Sequence, residues 1–413
     1  MPAVSSVEAQ SGQLRRAGEW LAAKLSRVTS THDFIPEVDG LRFVALVPVL
    51  FLHSATHFLI WRGWRDFSGN WTSSHGLILR GIAVGALGVQ IFFVISGFVV
   101  ALPFARQWLA GAPKPALGRY FMRRLTRIEP PYVIALIAMY LLWRNYRGYL
   151  PDLLAGLFYS HQFVFGTRNN INIVTWTLEV EVTFYLLAPL LTNVYRISNN
   201  AYRWMLQFGL AGAYSCFVLE WLVHHCPQRL NDTLAISLPY FQVGILLADL
   251  YVSGVVRRSQ KVVWDFIALV SIVVLLFFRA VAPIFYWMAP ILLMVFFLGG
   301  MQGRVFNGFL RLRPITIIGG MCYSAYLWHT AMLVLVRPYI APLVPHSLPD
   351  GPAALLFCFL MVPVLIVLTA PIFYFVEKPF MNGPGSRWIE RALRAAIAPL
   401  RRRPAIAPGE AAR

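Results

Sequence analysis

Arg42 and His53 stand eleven residues apart inside an otherwise apolar run. At about 100° per residue, that spacing brings a helix to within roughly 20° of its starting direction, so the two side chains share one face. They lie about 16 Å apart along the axis, which puts His53 near mid-membrane if Arg42 marks the edge. Pro48 falls between them and makes the alignment approximate. A neutral imidazole at that depth can take a proton from a hydroxyl, or carry an acyl group itself. The alternative is a structural histidine held by a polar partner in the bundle. His57, one turn further on, reads as a pore-lining or hydrogen-bonding residue.

A second polar cluster runs Thr175-Trp176-Thr177-Leu178-Glu179-Val180-Glu181. Carboxylates two residues apart point to different helix faces, so at most one faces the histidine. Glu181 lies about 9 Å below the surface if the helix starts at Thr175, and its alternative role is a salt bridge or hydrogen bond within the bundle. Glu179, nearer the interface, is expected to be solvated. Arg119, Arg123, Arg124 and Arg127 precede Pro130 and Pro131. They fit either a topology anchor facing anionic lipid or a clamp on a phosphate-bearing donor, and composition does not choose. Ser96 and Gly97 suit close helix packing, and without a base at hand Ser96 is a poor nucleophile. Tyr326 and His329, three residues apart, occupy neighbouring parts of a helix surface. A second buried histidine suggests a cavity shared with His53.

The elements that must hold these groups are membrane helices. Of the 413 residues, 58% are hydrophobic and only 13% charged, with a mean hydropathy of +0.61, a composition foreign to soluble domains. Apolar runs long enough to cross a bilayer predict an all-α polytopic bundle of about ten transmembrane helices. They fall near 41–61, 82–103, 131–147, 175–194, 206–224, 235–253, 263–279, 284–300, 316–338 and 355–376. The net charge of +18 comes from loops rather than one compact face, which favours topology over nucleic acid as its cause. With the N-terminus inside, about three-quarters of the Lys and Arg residues fall on the cytoplasmic side, and so do both termini. Residues 148–170 read as an extra half-helix on the outer face. The chain divides into a cytoplasmic segment (1–33), a membrane domain (34–379) and a basic, Pro-rich cytoplasmic tail (380–413). Cys216, Cys226, Cys322 and Cys358 lack the spacing of a zinc site or disulfide framework.

The order of the motifs resembles the acyltransferase-3 family of membrane-bound acyltransferases, of the bacterial glycan O-acetyltransferase type. The resemblance runs from about Ile35 to Pro379. It rests on Val38-Asp39-Gly40-Leu41-Arg42 with His53, Phe92 to Phe98 around Ser96, Arg123-Arg124-Leu125-Thr126-Arg127-Ile128 with Pro131-Tyr132, Trp176 to Glu181 with Phe184-Tyr185, Tyr323 to His329, and Val376-Glu377-Lys378-Pro379. Val38 stands where Leu is usual and Thr177 where Ser is usual. The resemblance implies transfer of an acyl group, by default acetyl, from acyl-CoA to a carbohydrate hydroxyl, with no permanently bound cofactor or metal, in a bacterial inner membrane. It further implies that Arg42 and His53 are the essential pair and that Glu181 supports them. Arg123, Arg124 and Arg127 would meet the acyl-CoA, with Asp39, Trp176, Ser96, Tyr326 and His329 in support. The competing class is a secondary transporter in which buried His, Glu and Arg form a proton or substrate relay.

Overall fold

A computed structural model describes residues 16, 18–27, 34–64, 76–143, 150–215, 232–256, 259–281, 284–381 and 383–401. Most of these residues are helical, with no strand among them. The helices that carry the argument are α1 (Pro36–Trp61), α2 (Leu87–Leu109), α3 (Leu117–Trp143), α4 (Trp176–Leu191), α5 (Leu234–Val252), α6 (Cys322–Ile340), α7 (Asp350–Ile372) and α8 (Pro384–Arg401). Six described helices are long and apolar enough to cross a membrane, and the pair Arg313–Gly320 and Cys322–Leu343, bent by 67° at the break between them, brings the number to seven if it is counted as one span. Val262–Leu276 and Met288–Gln302 are shorter apolar helices. The span expected at 206–224 is described only to 215, as the end of helix Asn200–Ala213, and its remainder lies outside the described residues, as do Cys216 and Cys226. Cys322 and Cys358 are free thiols.

Local chemistry explains why α1 begins where it does. Pro36 occupies the first turn, where its missing N–H costs nothing, and Glu37 and Asp39 place negative charge at the positive end of the helix dipole. The helix continues through Pro48 to Trp61. Gly319, next to last in the helix Arg313–Gly320, meets α1 backbone to backbone: a Cβ there would lie 2.7 Å from the Asp39 carbonyl carbon and 3.0 Å from the Phe43 nitrogen.

Helices α2 and α5 also meet backbone to backbone. A Cβ on Gly244 would fall 2.6 Å from the Phe98 nitrogen and 2.7 Å from the Gly97 Cα, so neither Gly97 nor Gly244 has room for a side chain. Above this contact, Phe241 stacks on Phe93 of α2 at 4.8 Å and on Phe184 of α4 at 4.1 Å, tying three helices together. The contact fixes the register that sets Ser96 opposite Glu181.

Away from the candidate site, Arg203 and Asp249 form a fully buried bidentate pair at 2.6 and 2.8 Å, and Trp204 and Gln207 also donate to that carboxylate. Removing one partner of a buried pair leaves an uncompensated charge, at a cost of about 3–5 kcal/mol. The Asp249→Ala protein should therefore lose that much stability, read as a lower denaturation midpoint in detergent, whereas the exposed Arg313→Ala should hold its midpoint.

Residues 150–165 form two short helices, Leu150–Leu157 and His161–Phe165, rather than one. They fold over the start of α4, where His161 pairs with Asp152 at 2.9 Å and the Gln162 backbone N–H donates to Glu179 at 3.0 Å. Glu179 is therefore buried, not solvated, because this segment covers it. In the tail, α8 sets Trp388, Ile389, Ala392 and Leu393 in a stripe along one side, with Arg387 and Arg391 exposed beside it.

Candidate active site

A cavity of about 400 Å3 opens between α1, α2, α3, α4 and α6. Six arginines line it: Arg27, Arg42, Arg106, Arg123, Arg124 and Arg127. Against them stand two carboxylates, Asp39 and Glu181, for a formal excess of four positive charges. Asp39 is nearly fully buried and accepts from Arg42 and, at 3.0 Å, from Arg27 through the same oxygen. Burial pushes the Arg27 guanidinium down to about 9, with the repulsion of Arg127 and Arg42 adding to the shift and Asp39 opposing it. Arg27 stays charged at neutral pH, in a site whose positive charges outnumber their counter-charges.

The arginines of α3 divide by partner. Arg124 stacks on Tyr120, its guanidinium 3.8 Å from the ring, and donates to the Tyr120 carbonyl. Arg123 and Arg127 line the cavity with no hydrogen bond or salt bridge to any described residue. A guanidinium offers five donors in a rigid fork, so two such groups side by side make a receptor for phosphate oxygens. Arg119, on the same helix, is exposed and outside the lining.

Deeper in, Ser96 of α2 and Tyr185 of α4 both donate to Glu181 Oε1. Ser96 therefore has a carboxylate partner that helix periodicity alone did not supply. The end of the cavity is closed by Thr177 and Tyr326, whose hydroxyl oxygens lie 3.1 Å apart and both reach the Val174 carbonyl, at 3.0 and 3.4 Å.

His53 is not in the lining. It sits one helical stretch beyond, half-buried, with its ring centroid 5.0 Å from that of fully buried His329. The His329 ring in turn lies 5.7 Å from Tyr326, so Tyr326 stands between the arginine-lined cavity and the histidine pair. The structure thus separates residues that spacing placed on one helix face: Arg42 belongs to the cavity, and His53 to the pair beyond it. Trp176 also lies outside the lining, under the Arg168 guanidinium at 5.1 Å and edge-on to Phe93.

Two features escaped sequence reasoning. Arg27 precedes the first membrane helix yet lines the cavity, and nothing local distinguishes it from its basic neighbours. Glu377, fully buried, accepts from the Ser324 backbone N–H at 3.0 Å and its hydroxyl at 2.5 Å, holding the first turn of α6.

An acyltransferase-domain family model, that of acyltransferase-3, matches residues 35–370. The chain belongs to the acyltransferase-3 family. Among curated relatives, the peptidoglycan O-acetyltransferase OatA of Listeria monocytogenes is 24% identical over 394 residues, covering 86% of this chain and 57% of that protein. The O-acetyltransferase OatA of Staphylococcus aureus is 24% identical over 377 residues, covering 84% and 57%. This acyltransferase-3 chain therefore spans little more than half the length of the curated relatives it matches. No solved structure matches it.

Proposed function

We propose that this acyltransferase-3 chain transfers an acyl group, acetyl by default, from acyl-CoA to a hydroxyl of a carbohydrate or glycoconjugate, with His53 as the base. The observation that carries the reading is the cavity with its six arginines, two of them without a hydrogen-bond or salt-bridge partner among the described residues, leading towards a histidine pair. The diphosphate and 3′-phosphate of CoA carry about four negative charges, matching the excess in the lining. Arg123 and Arg127 would grip phosphate oxygens, while the pantetheine arm runs past Glu181 towards Tyr326 and Thr177. The printed names of the relatives make a cell-wall glycan such as peptidoglycan the first acceptor to try.

In this mechanism the acceptor oxygen attacks the thioester carbonyl as its proton passes to His53. The carbon–sulfur bond breaks as the carbonyl re-forms, and the leaving CoA thiolate takes up the proton that His53 gained, which returns the imidazole to its neutral form. Metal chemistry is not required by these steps. Movement of the Tyr326 ring must open the cavity to His53, since that ring stands between the thioester's path and the histidine pair. We further propose the ten-span topology, with the arginine end and both termini facing the cytoplasm and the protein in a bacterial inner membrane. That places the CoA site where acyl-CoA is made.

Purified protein given acetyl-CoA and a panel of glycans should release free CoA only when an acceptor is present. A relay transporter would instead leave the thioester intact while moving substrate across vesicles, and that result would overturn the proposal.

A further inference from the structure

His329 is fully buried on α6, and its Nδ1 lies 2.6 Å from the Tyr326 carbonyl oxygen one turn earlier. A carbonyl only accepts, so Nδ1 must carry the proton and donate it. This fixes the tautomer: Nε2 is left with a lone pair. That nitrogen is buried and has no hydrogen-bond partner among the described residues. A buried acceptor without a partner is costly and calls for a function.

The neighbour able to satisfy it is His53, whose ring centroid lies 5.0 Å away, tilted by 54°. Rings at that separation bring facing nitrogens to hydrogen-bond distance by rotation about χ2, which is a soft torsion. His53 makes no hydrogen bond to a described residue, so none among them sets its tautomer. A base in acyl transfer works best when a third group holds it in one tautomer and one orientation.

We propose that His329 is the positioning residue for His53. Its Nε2 accepts a hydrogen bond from one His53 ring N–H, which leaves the other His53 nitrogen as a lone pair aimed at the acceptor hydroxyl. The chain of donors runs in one direction, from His53 N–H to His329 Nε2 and from His329 Nδ1–H to the Tyr326 carbonyl. When the acceptor oxygen attacks, its proton goes to the free His53 nitrogen. The imidazolium so formed donates more strongly to His329, stabilising charge that exists only as the reaction proceeds. Both imidazoles start neutral, so the arrangement buries no net charge before the reaction begins.

The inference rests on the proposed role of His53 as base, and two experiments test it. In protein labelled with 15N-histidine and held in lipid nanodiscs, a 15N–15N cross-peak should link a His53 ring nitrogen to His329 Nε2. Its absence overturns the proposal whether or not the protein is an acyltransferase. In the CoA-release assay, His329→Leu should lower kcat about 100-fold while KM for acetyl-CoA stays within twofold. His329→Gln, whose side-chain oxygen can accept from His53, should recover at least tenfold of that loss. Equal activity in Leu and Gln variants, or a loss confined to KM, overturns the positioning role. A wild-type protein that releases no CoA with any acceptor would instead refute the transfer reaction, leaving the cross-peak to decide the hydrogen bond.

Discussion

Folded His53→Ala protein is expected to bind acyl-CoA as wild type does and to transfer its acyl group about 10^3-fold more slowly. The magnitude follows from the usual worth of a positioned general base, about 10^2- to 10^4-fold. The separation of effects follows from the geometry. Arg42, Arg123 and Arg127 line the cavity, and His53 does not. It lies about 16 Å along α1 from Arg42, behind Tyr326. Truncating it therefore leaves the arginine receptor intact, and KM for acetyl-CoA should stay within twofold. Equal CoA release by wild type and variant would remove His53 from the chemistry and leave it a packing residue. The measurement is acceptor-dependent CoA release at saturating and limiting acetyl-CoA.

The converse pattern is expected when the receptor is damaged. Arg123→Ala and Arg127→Ala should each raise KM for acetyl-CoA by about 10- to 100-fold, because a hydrogen bond to a charged group is worth about 1.5–3 kcal/mol. The double variant should approach the product of the two effects at low salt and lose less at high salt, since phosphate attraction is screened. At saturating acetyl-CoA, kcat should change little. Arg119→Ala is the control, because that side chain lies outside the cavity. Should Arg119 matter as much as Arg123, the arginines of α3 would act as a surface anchor rather than as a receptor. Arg124 suits the test poorly, because its stacking on Tyr120 makes its removal a packing change as well.

The class of fold was readable from hydropathy, because bilayer thickness demands long apolar helices and the chain repeats them. The break between Gly320 and Cys322 was not, since apolar composition continues across it while the direction turns by 67°. Helix periodicity also captured the common face and the rise between Arg42 and His53. It had no access to the wall between them, because that wall is Tyr326 from a helix nearly 300 residues later. Ser96 was read as lacking a base for the same reason: Glu181, its partner, lies 85 residues on, and only the Gly97–Gly244 contact and the phenylalanine stack bring them together. Glu179 failed on a different ground. Depth along one helix is a poor guide to solvation where a neighbouring segment folds over the helix start. The stripe of α8 at Trp388, Ile389, Ala392 and Leu393 has helical spacing in the sequence, set among the prolines and basic residues of the tail.

The closure at Tyr326 and Thr177 bears on the bilayer's ability to hold a gradient. A cavity wet enough for CoA, running on without interruption past two imidazoles, would be a proton wire across an energised membrane. Each proton leaking through it would dissipate about 2.3 kcal/mol per 100 mV. With an aromatic ring and a hydroxyl pair at its end, the aqueous space stops short of the histidines. While Tyr326 and Thr177 hold these positions, the arginine-lined cavity cannot serve as such a proton path.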